Sequence, residues 1–515
     1  MGPGNPARGM AEPSTLSGGF SLLGHLEKFV EQRPPLTLLV TGPSGTGKST
    51  LIRTLLQRIH GPHVLVGYRP ETAEGTPGQS PPAGATSLSM FLVELEGPPQ
   101  EGTEPALATS QSSGPVPIAT AESLPPALGD AVARLATRGG GLIVFDSWDP
   151  ACEQAFRSRG PGTDRVQTFT APVALLQSTL GHLPVRAILV LSPTPDAGLL
   201  SGVDGVLELG WEEVEGFRLR VVSIPKMRSM PPPETRYFYS LEGGRFYCPP
   251  QFPPGFRPPI GPPPPDPKPQ EDSLFPGSRP FEEAFGRLRF HGLTGLEVPP
   301  RFPGHVADVF LYPLVAHILA VGGRVVWLPS PSSGPQQITL QLRRFLPPDF
   351  LRERLRIISP QRPDPAIADL RGMAIPAQRT SPEVPGEPQA ASSSVGPIFP
   401  EAFRFLRATP EGKPSLYAIY LDGLNALAAI AGVPLAAETL PFIMAGYVRL
   451  PRFHGFGIGR SDDPVTQAVL AGVDTHIRVV ERYGRSVLLG IRPRTNPFIL
   501  DWTEPDGRYS LVPVK

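Results

Sequence analysis

Eight residues near the N-terminus constrain this chain more than any other feature: Gly42-Pro-Ser-Gly-Thr-Gly47-Lys48-Ser49, set between the apolar run Leu36 to Val40 and a segment, Thr50 to Ile59, with leucine and isoleucine at helical spacing. Small residues let successive backbone N–H groups wrap a phosphate, a lysine ammonium reaches the outer phosphates, and a hydroxyl ligates Mg2+. The expected nucleotide contacts are Gly42, Pro43, Ser44, Gly45, Thr46, Gly47, Lys48, Ser49 and Thr50, with ATP and Mg2+ as the ligands and Ser49 as a metal ligand. Lysine is scarce here, six against 41 arginines, so its fall into this pattern by accident would be a rare event.

The surrounding chain reads as a parallel α/β unit. A helix over 19 to 31 ends at Pro34-Pro35, the strand Leu36 to Val40 enters the loop, and His63 to Gly67 is the next strand. Two stretches rich in Pro, Gly, Ser, Thr and Glu, near 70–86 and 97–124, read as disordered surface insertions, with a strand at 87–95 between them. A helix at 126–137, the strand Leu142 to Phe145, a helix near 171–181 and the strand Ala187 to Leu191 follow. Val206 to Leu209, Arg218 to Ile224 and Tyr237 to Leu241 alternate like an antiparallel edge on a parallel sheet. The proline-dense run after Cys248 then reads as a linker. The expected organisation is a tail over 1–17, a P-loop domain over 18–248, a linker over 249–280 and a second domain over 281–515 with a disordered insertion near 361–397.

The second half repeats the plan of the first. A helix at 306–320 precedes the strand Arg324 to Leu328, and the following run, Pro329 to Gln337, aligned without gaps on the first loop, sets Gln336 on Lys48 and Gln337 on Ser49. Neither glutamine replaces an ammonium or a metal-binding hydroxyl, and Pro335 removes a backbone donor. On this alignment the second site is dead. Asp422 ends the strand Leu416 to Leu421 as Asp146 ends its own, and Arg492-Pro-Arg494 falls on Lys226-Met-Arg228. Arg492 and Arg494 could then face the live site from the second half.

Asp146 closes the apolar strand Gly-Leu-Ile-Val-Phe-Asp, where a carboxylate beside the phosphate loop would hold Mg2+ through water; Asp149 stands close enough to share the role. With the loop at 42–49, Leu142 to Ser147, and Arg218 to Arg228 followed by Tyr237 to Phe246, the chain resembles the RecA-like ATPases of the KaiC type, in particular the gas-vesicle regulator GvpD. The resemblance implies two tandem RecA-like P-loop domains, each a mostly parallel sheet flanked by helices, the second degenerate. It also implies that Lys226 and Arg228 reach a neighbouring subunit's nucleotide, and that Lys48 serves catalysis as well as binding. KaiC-type ATPases carry paired glutamates after the second strand; here the sequence reads Val64-Leu-Val-Gly-Tyr-Arg69-Pro-Glu71, so Glu71, with Glu74 behind it, is the nearest carboxylate for a catalytic base. Whether ATP is turned over stays open.

Zero formal net charge provides no global field to hold nucleic acid or an acidic membrane. The arginines at 343, 344, 352, 354 and 356 are interrupted by Asp349 and Glu353, so DNA is an alternative partner, less favoured than a protein partner or further copies of the chain. Cys152 and Cys248 stand apart from each other and from metal-ligand spacing, which fits a reducing cytoplasm. Met1 to Gly18 lacks the apolar core of a signal peptide, and charged or proline residues break both long apolar stretches, so no membrane contact is expected. Three function classes remain: a nucleotide-dependent regulator, a recombinase paralogue that touches DNA, and a nucleotide sensor without turnover.

Overall fold

The computed structural model of the chain describes residues 21–32, 34, 36–70, 88–96, 126–146, 184–192, 197–251, 266, 270–301, 304–329, 334–359, 374–376, 402, 404–406, 417–421, 424, 452–501 and 509–514. Two compact units form, one of Phe20–Pro249 with Val514–Lys515 and one built mainly of Pro250–Pro513.

The first unit is organised round β1 (Leu36–Thr41), buried at all six positions. Strand side chains alternate between faces. Leu36, Leu38 and Val40 therefore pack with Leu22, Leu26 and Phe29 of α1 (Leu22–Val30) and with Leu51, Ile52 and Leu55 of α2 (Lys48–Leu56). On the opposite face Leu39 joins Val132 and Leu135 of α3 (Pro126–Thr137). A strand covered on both faces excludes charged side chains and is mostly apolar, which is why this run lacks the regular alternation of a half-exposed strand. The other elements are β2 (Pro62–Pro70), β3 (Leu88–Glu96), β4 (Gly141–Asp146), β5 (Val185–Leu191), α4 (Ala197–Gly202), β6 (Gly205–Val214), β7 (Phe217–Met227) and β8 (Arg236–Phe238). They form one eight-stranded sheet in the order β3-β2-β4-β5-β1-β6-β7-β8. Strands β2, β4, β5, β1 and β6 run parallel, β3 is an antiparallel edge on one side, and β7 and β8 are antiparallel on the other. The expected helix near 171–181 lies outside the described residues.

Strand β6 is locked to β1 at its start. The N–H of Thr37 donates to Asp204 Oδ2 at 2.9 Å, and the N–H of Asp204 donates to the Thr37 carbonyl at 2.9 Å. At the next step Gly205 leaves room for Phe29 and Leu38, since a Cβ there would stand 2.8 Å from Phe29 Cε1 and from Leu38 Cδ1.

The second unit contains β9 (Ser273–Leu274), α5 (Arg279–Phe285), β10 (Leu288–Arg289), β11 (Gly292–Val298), α6 (Gly304–Ala320), β12 (Arg324–Leu328), α7 (Pro335–Leu342), α8 (Pro348–Arg354), β13 (Leu355–Ser359), β14 (Ala374–Pro376), β15 (Tyr417–Leu421), β16 (Phe453–Arg460), α9 (Pro464–Leu470), β17 (Thr475–Arg482), β18 (Arg485–Arg492), β19 (Phe498–Asp501) and β20 (Ser510–Pro513). Its ordered chain includes part of the stretch expected as linker: Leu274 and Phe275 are buried, and Asp266 pairs with Arg287 at 2.6 Å. Likewise β14 sits within the stretch expected as an insertion, parallel to β13. Among the described residues no helix is long and apolar enough to cross a membrane.

Sheet order here is β14-β13-β12-β15-β16-β11-β17-β18-β19-β20. The run β12-β15-β16-β11-β17-β18-β19 follows the same path as β2-β4-β5-β1-β6-β7-β8, with parallel neighbours on both sides of β11 and antiparallel pairing from β17 onward. The lock recurs as well, for the N–H of Leu293 donates to Asp474 Oδ2 and the N–H of Asp474 donates to the Leu293 carbonyl. The counterpart of β1 is therefore β11, not β12, and this corrects the alignment that set Gln336 on Lys48. Pro329 to Gln337 follows the counterpart of β2. A constant offset of 256 residues, fixed by Thr37 and Leu293, carries Thr41 to Glu297, Lys48 to Gly304 and Ser49 to His305. The true counterpart of the phosphate loop, Pro299-Pro-Arg-Phe-Pro303-Gly304, has three residues without an N–H and no lysine. The expectation of a degenerate second site rests on these residues rather than on Gln336 and Gln337.

Several buried polar side chains in this unit are paired with one another. Glu297, 2% exposed, takes His476 Nε2 at 2.8 Å and Arg478 Nε at 2.7 Å. Burial alone would raise its pKa; the hydrogen bonds from His476 and Arg478 more than offset this and hold the carboxyl below the usual carboxylate value. His454 on β16 is buried, with Nδ1 2.7 Å from the Arg289 carbonyl and Nε2 3.0 Å from Thr294 Oγ1. A carbonyl only accepts, so Nδ1 carries a proton, and in the neutral ring Nε2 accepts from the Thr294 hydroxyl. Burial lowers its pKa from 6.5 to about 4. As pH falls through this window the unfolded chain takes up a proton that the folded chain refuses, so stability is lost between 6.5 and 4, to a limit of about 3 kcal/mol. Denaturant unfolding at pH 7 and pH 4.5 should show a larger loss in wild type than in His454→Gln; identical losses would remove His454 as the cause.

Candidate functional site

Strand β1 ends at Thr41, and the chain must turn sharply to start α2 at Lys48. Gly42, Gly45 and Gly47 all have positive φ, at 143°, 78° and 89°, a region that costs other residues energy. Space matters as much at two of them. A Cβ on Gly42 would stand 2.0 Å from the Leu209 carbonyl oxygen, and one on Gly47 would stand 2.5 Å from Leu241 Cδ1. Gly47 caps α2 without any side-chain hydrogen bond, leaving first-turn N–H groups and the positive end of the helix dipole for an anion. Thr46 is fully buried and its Oγ1 donates to the Pro43 carbonyl at 2.9 Å, bracing the loop internally. Lys48 folds back over the loop, with Nζ 2.7 Å from the Gly42 carbonyl and 3.0 Å from that of Pro43. Thr50 lies in the first turn of α2.

Ser49 Oγ donates to Asp146 Oδ1 at 2.9 Å. Ser49 starts α2 just after β1 and Asp146 ends β4, with β5 between the two strands in the sheet, and the parallel order brings the C-terminal ends of β1 and β4 to the same edge. A hydroxyl and a carboxylate are hard oxygen donors, and Mg2+ typically takes one or two of these from protein and the rest from phosphate and water. The pair fits that ion. Among the described residues no group of three or more His, Cys, Asp or Glu side chains could hold a metal, so the metal reading rests on Ser49 and Asp146.

Lys226 and Arg228 lie elsewhere. Lys226 pairs with Val206 and Arg228 donates its N–H to the Asp204 carbonyl, which sets both beside the start of β6, roughly 10–16 Å down the strands from the level of Gly42. Lys226 Nζ donates to the carbonyls of Leu200 and Ser201 at 2.6 and 3.1 Å, and Arg228 Nη2 donates to Ser201 at 2.9 Å. They cap the C-terminal end of α4, a favourable place for cations. Desolvation, followed by the like charge of Arg228, lowers the Lys226 pKa. Arg492 sits opposite His476 as Lys226 sits opposite Val206, and it donates to the carbonyl of Val473 after α9 at 2.7 Å. Glu71, Glu74, Asp149 and Asp422 lie outside the described residues.

Three residues at the loop were not foreseen as site residues. Arg220 Nη1 donates to the Gly45 carbonyl at 3.0 Å, Tyr239 Oη donates to the Thr46 carbonyl at 2.5 Å, and Leu241 covers Gly47. The sequence did contain a signal, since Arg218 and Arg220 share one face of a strand whose other face is apolar. Nothing in the pattern named their partner.

The AAA ATPase domain family matches residues 21–191 of the chain. No curated protein matches it. The matched range runs from the start of α1 through β5, and so takes in the phosphate loop, Ser49 and Asp146. The matched family is one of P-loop ATPases, and the first unit has the mixed α/β architecture, a mostly parallel sheet flanked by helices, that is consistent with a P-loop nucleoside-triphosphatase fold. Arg218 to Arg228 and Tyr237 to Phe246, which carry part of the KaiC-type likeness, lie beyond the match.

The glycine geometry gives a paired test. Gly42→Ala must displace the backbone of β6, whereas Gly45→Ala meets no atom within 4 Å and incurs only left-handed strain of about 1 kcal/mol. Gly42→Ala should therefore abolish nucleotide binding and lower the melting temperature clearly, while Gly45→Ala keeps its fold with a small shift. Equal effects in calorimetry and binding would contradict the close approach to Leu209.

Proposed function

We propose that the chain is a Mg-ATP-binding regulatory ATPase of the KaiC or GvpD kind, whose nucleotide state is read by a protein partner or by further copies of the chain. The observation that carries this reading is the contact between Ser49 Oγ and Asp146 Oδ1 beside a loop with a free helix start and a lysine folded over it. Lys48 is the cation for the outer phosphates, the N–H groups of the loop bind the inner ones, and Ser49 and Asp146 hold the ion. When bound, Mg2+ supplies positive charge against the phosphate oxygens. Two carbonyls occupy the Lys48 ammonium until a nucleotide takes their place, so binding exchanges protein contacts for phosphate contacts at little desolvation cost.

Turnover further requires a group to orient the attacking water, and Glu71 is the carboxylate the sequence offers for that role. Lys226 and Arg228 stand away from their own loop, with Arg228 exposed, which suits cations that serve a neighbouring copy in a homo-oligomer. The balanced charge of the chain favours a protein partner over DNA.

Nucleotide binding and steady-state hydrolysis measured on the same samples test this reading. Lys48→Ala should weaken ATP about 10- to 100-fold, the worth of hydrogen bonds to a charged group. Asp146→Asn should lower affinity in Mg2+ and leave it unchanged in EDTA. Glu71→Ala should bind normally and hydrolyse slowly. Binding in wild type without any turnover would replace the ATPase with a nucleotide sensor, and salt-dependent DNA affinity would point to a recombinase paralogue.

A further inference from the structure

Two side chains that ligate nothing in the Mg-ATP reading hold the phosphate loop from the antiparallel strands. A trans peptide group is planar, so its C=O and N–H point in opposite directions. The Gly45 carbonyl shares its plane with the N–H of Thr46, and the Thr46 carbonyl with the N–H of Gly47. Arg220 on β7 takes the first carbonyl at 3.0 Å, and Tyr239, just after β8, takes the second at 2.5 Å. Both N–H groups are thereby turned away from the strands that hold the carbonyls. We propose that Arg220 and Tyr239 are positioning residues that pre-set the N–H groups of Thr46 and Gly47 for the phosphate oxygens of a nucleoside di- or triphosphate. This rests on the phosphate-loop reading above and adds to it the residues that keep the loop in its binding conformation.

The two donors are themselves held. The Arg220 guanidinium lies 4.1 Å from the Trp211 ring centroid, and Trp211 is its direct partner in the β6–β7 ladder. Arg218 lies over the same indole at 4.3 Å. Such stacking removes side-chain freedom before any hydrogen bond is made. Tyr239 is buried and stacks on Phe246 at 4.5 Å between centroids. Burial pushes its phenol up to about 12, against the opposing hydrogen bond and charge of Arg220, so the hydroxyl remains a donor throughout the physiological range. Leu241 closes the same side by filling the space where a Cβ on Gly47 would stand. A loop rich in glycine has much conformational freedom to lose on binding. Fixing two consecutive peptide planes beforehand removes part of that loss, the usual route by which preorganisation raises affinity.

The test uses the full chain and a fluorescent ADP analogue, with melting temperature recorded for each variant. Tyr239→Phe keeps the ring and its stack but removes one hydrogen bond; Arg220→Gln removes the other donor's charge and reach, and Arg220→Lys restores a cation that can donate. Affinity should fall about tenfold in Tyr239→Phe and in Arg220→Gln, the upper range for one hydrogen bond, and should return to within about threefold of wild type in Arg220→Lys. Melting temperatures should stay within a few degrees. A lowered melting temperature with unchanged affinity would overturn the proposal and leave the two contacts as packing. If Arg220→Gln fails to fold, Tyr239→Phe alone decides by the same criterion. Wild type that bound no nucleotide would overturn the Mg-ATP reading and this inference together, whereas wild-type binding with undiminished affinity in Tyr239→Phe would overturn the inference alone.

Discussion

A single carboxylate sets the frame on which the nucleotide site depends. Asp204 accepts the Thr37 N–H and returns its own N–H to the Thr37 carbonyl, joining the start of β6 to the start of β1. Side chains alternate along a strand, so a slip of one residue would turn Leu38 and Val40 away from α1 and α2 and carry Gly42 off the Leu209 carbonyl. The turn that makes the phosphate loop is thus fixed from the far end of its strand. Arg228, 3.6 Å from Asp204, and Lys226 add the α4 terminus to the same corner. The distance between that corner and the loop is the reason these cations do not meet the nucleotide loop of their own unit.

Local chemistry was legible in the sequence wherever one short segment carries it. Gly42 to Ser49 is such a segment, and the apolar run before it and the helix after it have the predicted character. Asp146 was legible because it ends a strand, and the structure supplies what spacing alone does not, the hydrogen bond to Ser49 from two strands away. The contributions of Arg220 and Tyr239 were not legible. They belong to strands that read as an antiparallel edge, and their contacts span about 175 and 193 residues of sequence. No periodicity reports a partner at that range.

The second half shows a different limit. Its strand order repeats that of the first, and the tail correspondence of Arg492 with Lys226 has its counterpart in the strand registers. The assignment of its dead loop was misled by composition. Pro329 to Gln337 is rich in Ser, Gly and Pro and follows an obvious strand, whereas β11 contains Gly292 and Gly295 and does not read as a central strand. Gly295 is required by packing, since a Cβ there would meet Leu470 at 2.3 Å. Sequence similarity follows residue types; the sheet follows hydrogen bonds, and here the two point to different loops.

Where Thr41 stands in the first unit, the second has the buried Glu297, tied to His476 and Arg478. A carboxylate at that position would repel a phosphate, and the neighbouring His476 and Arg478 direct their hydrogen bonds to it. The pinning aspartate and the cation after the following helix remain. The two halves thereby act as an internal control on each other. What they share marks the minimum that this architecture needs in order to fold, and what only the first retains marks the cost of recognising a phosphate, a distinction usually drawn only by comparing separate proteins.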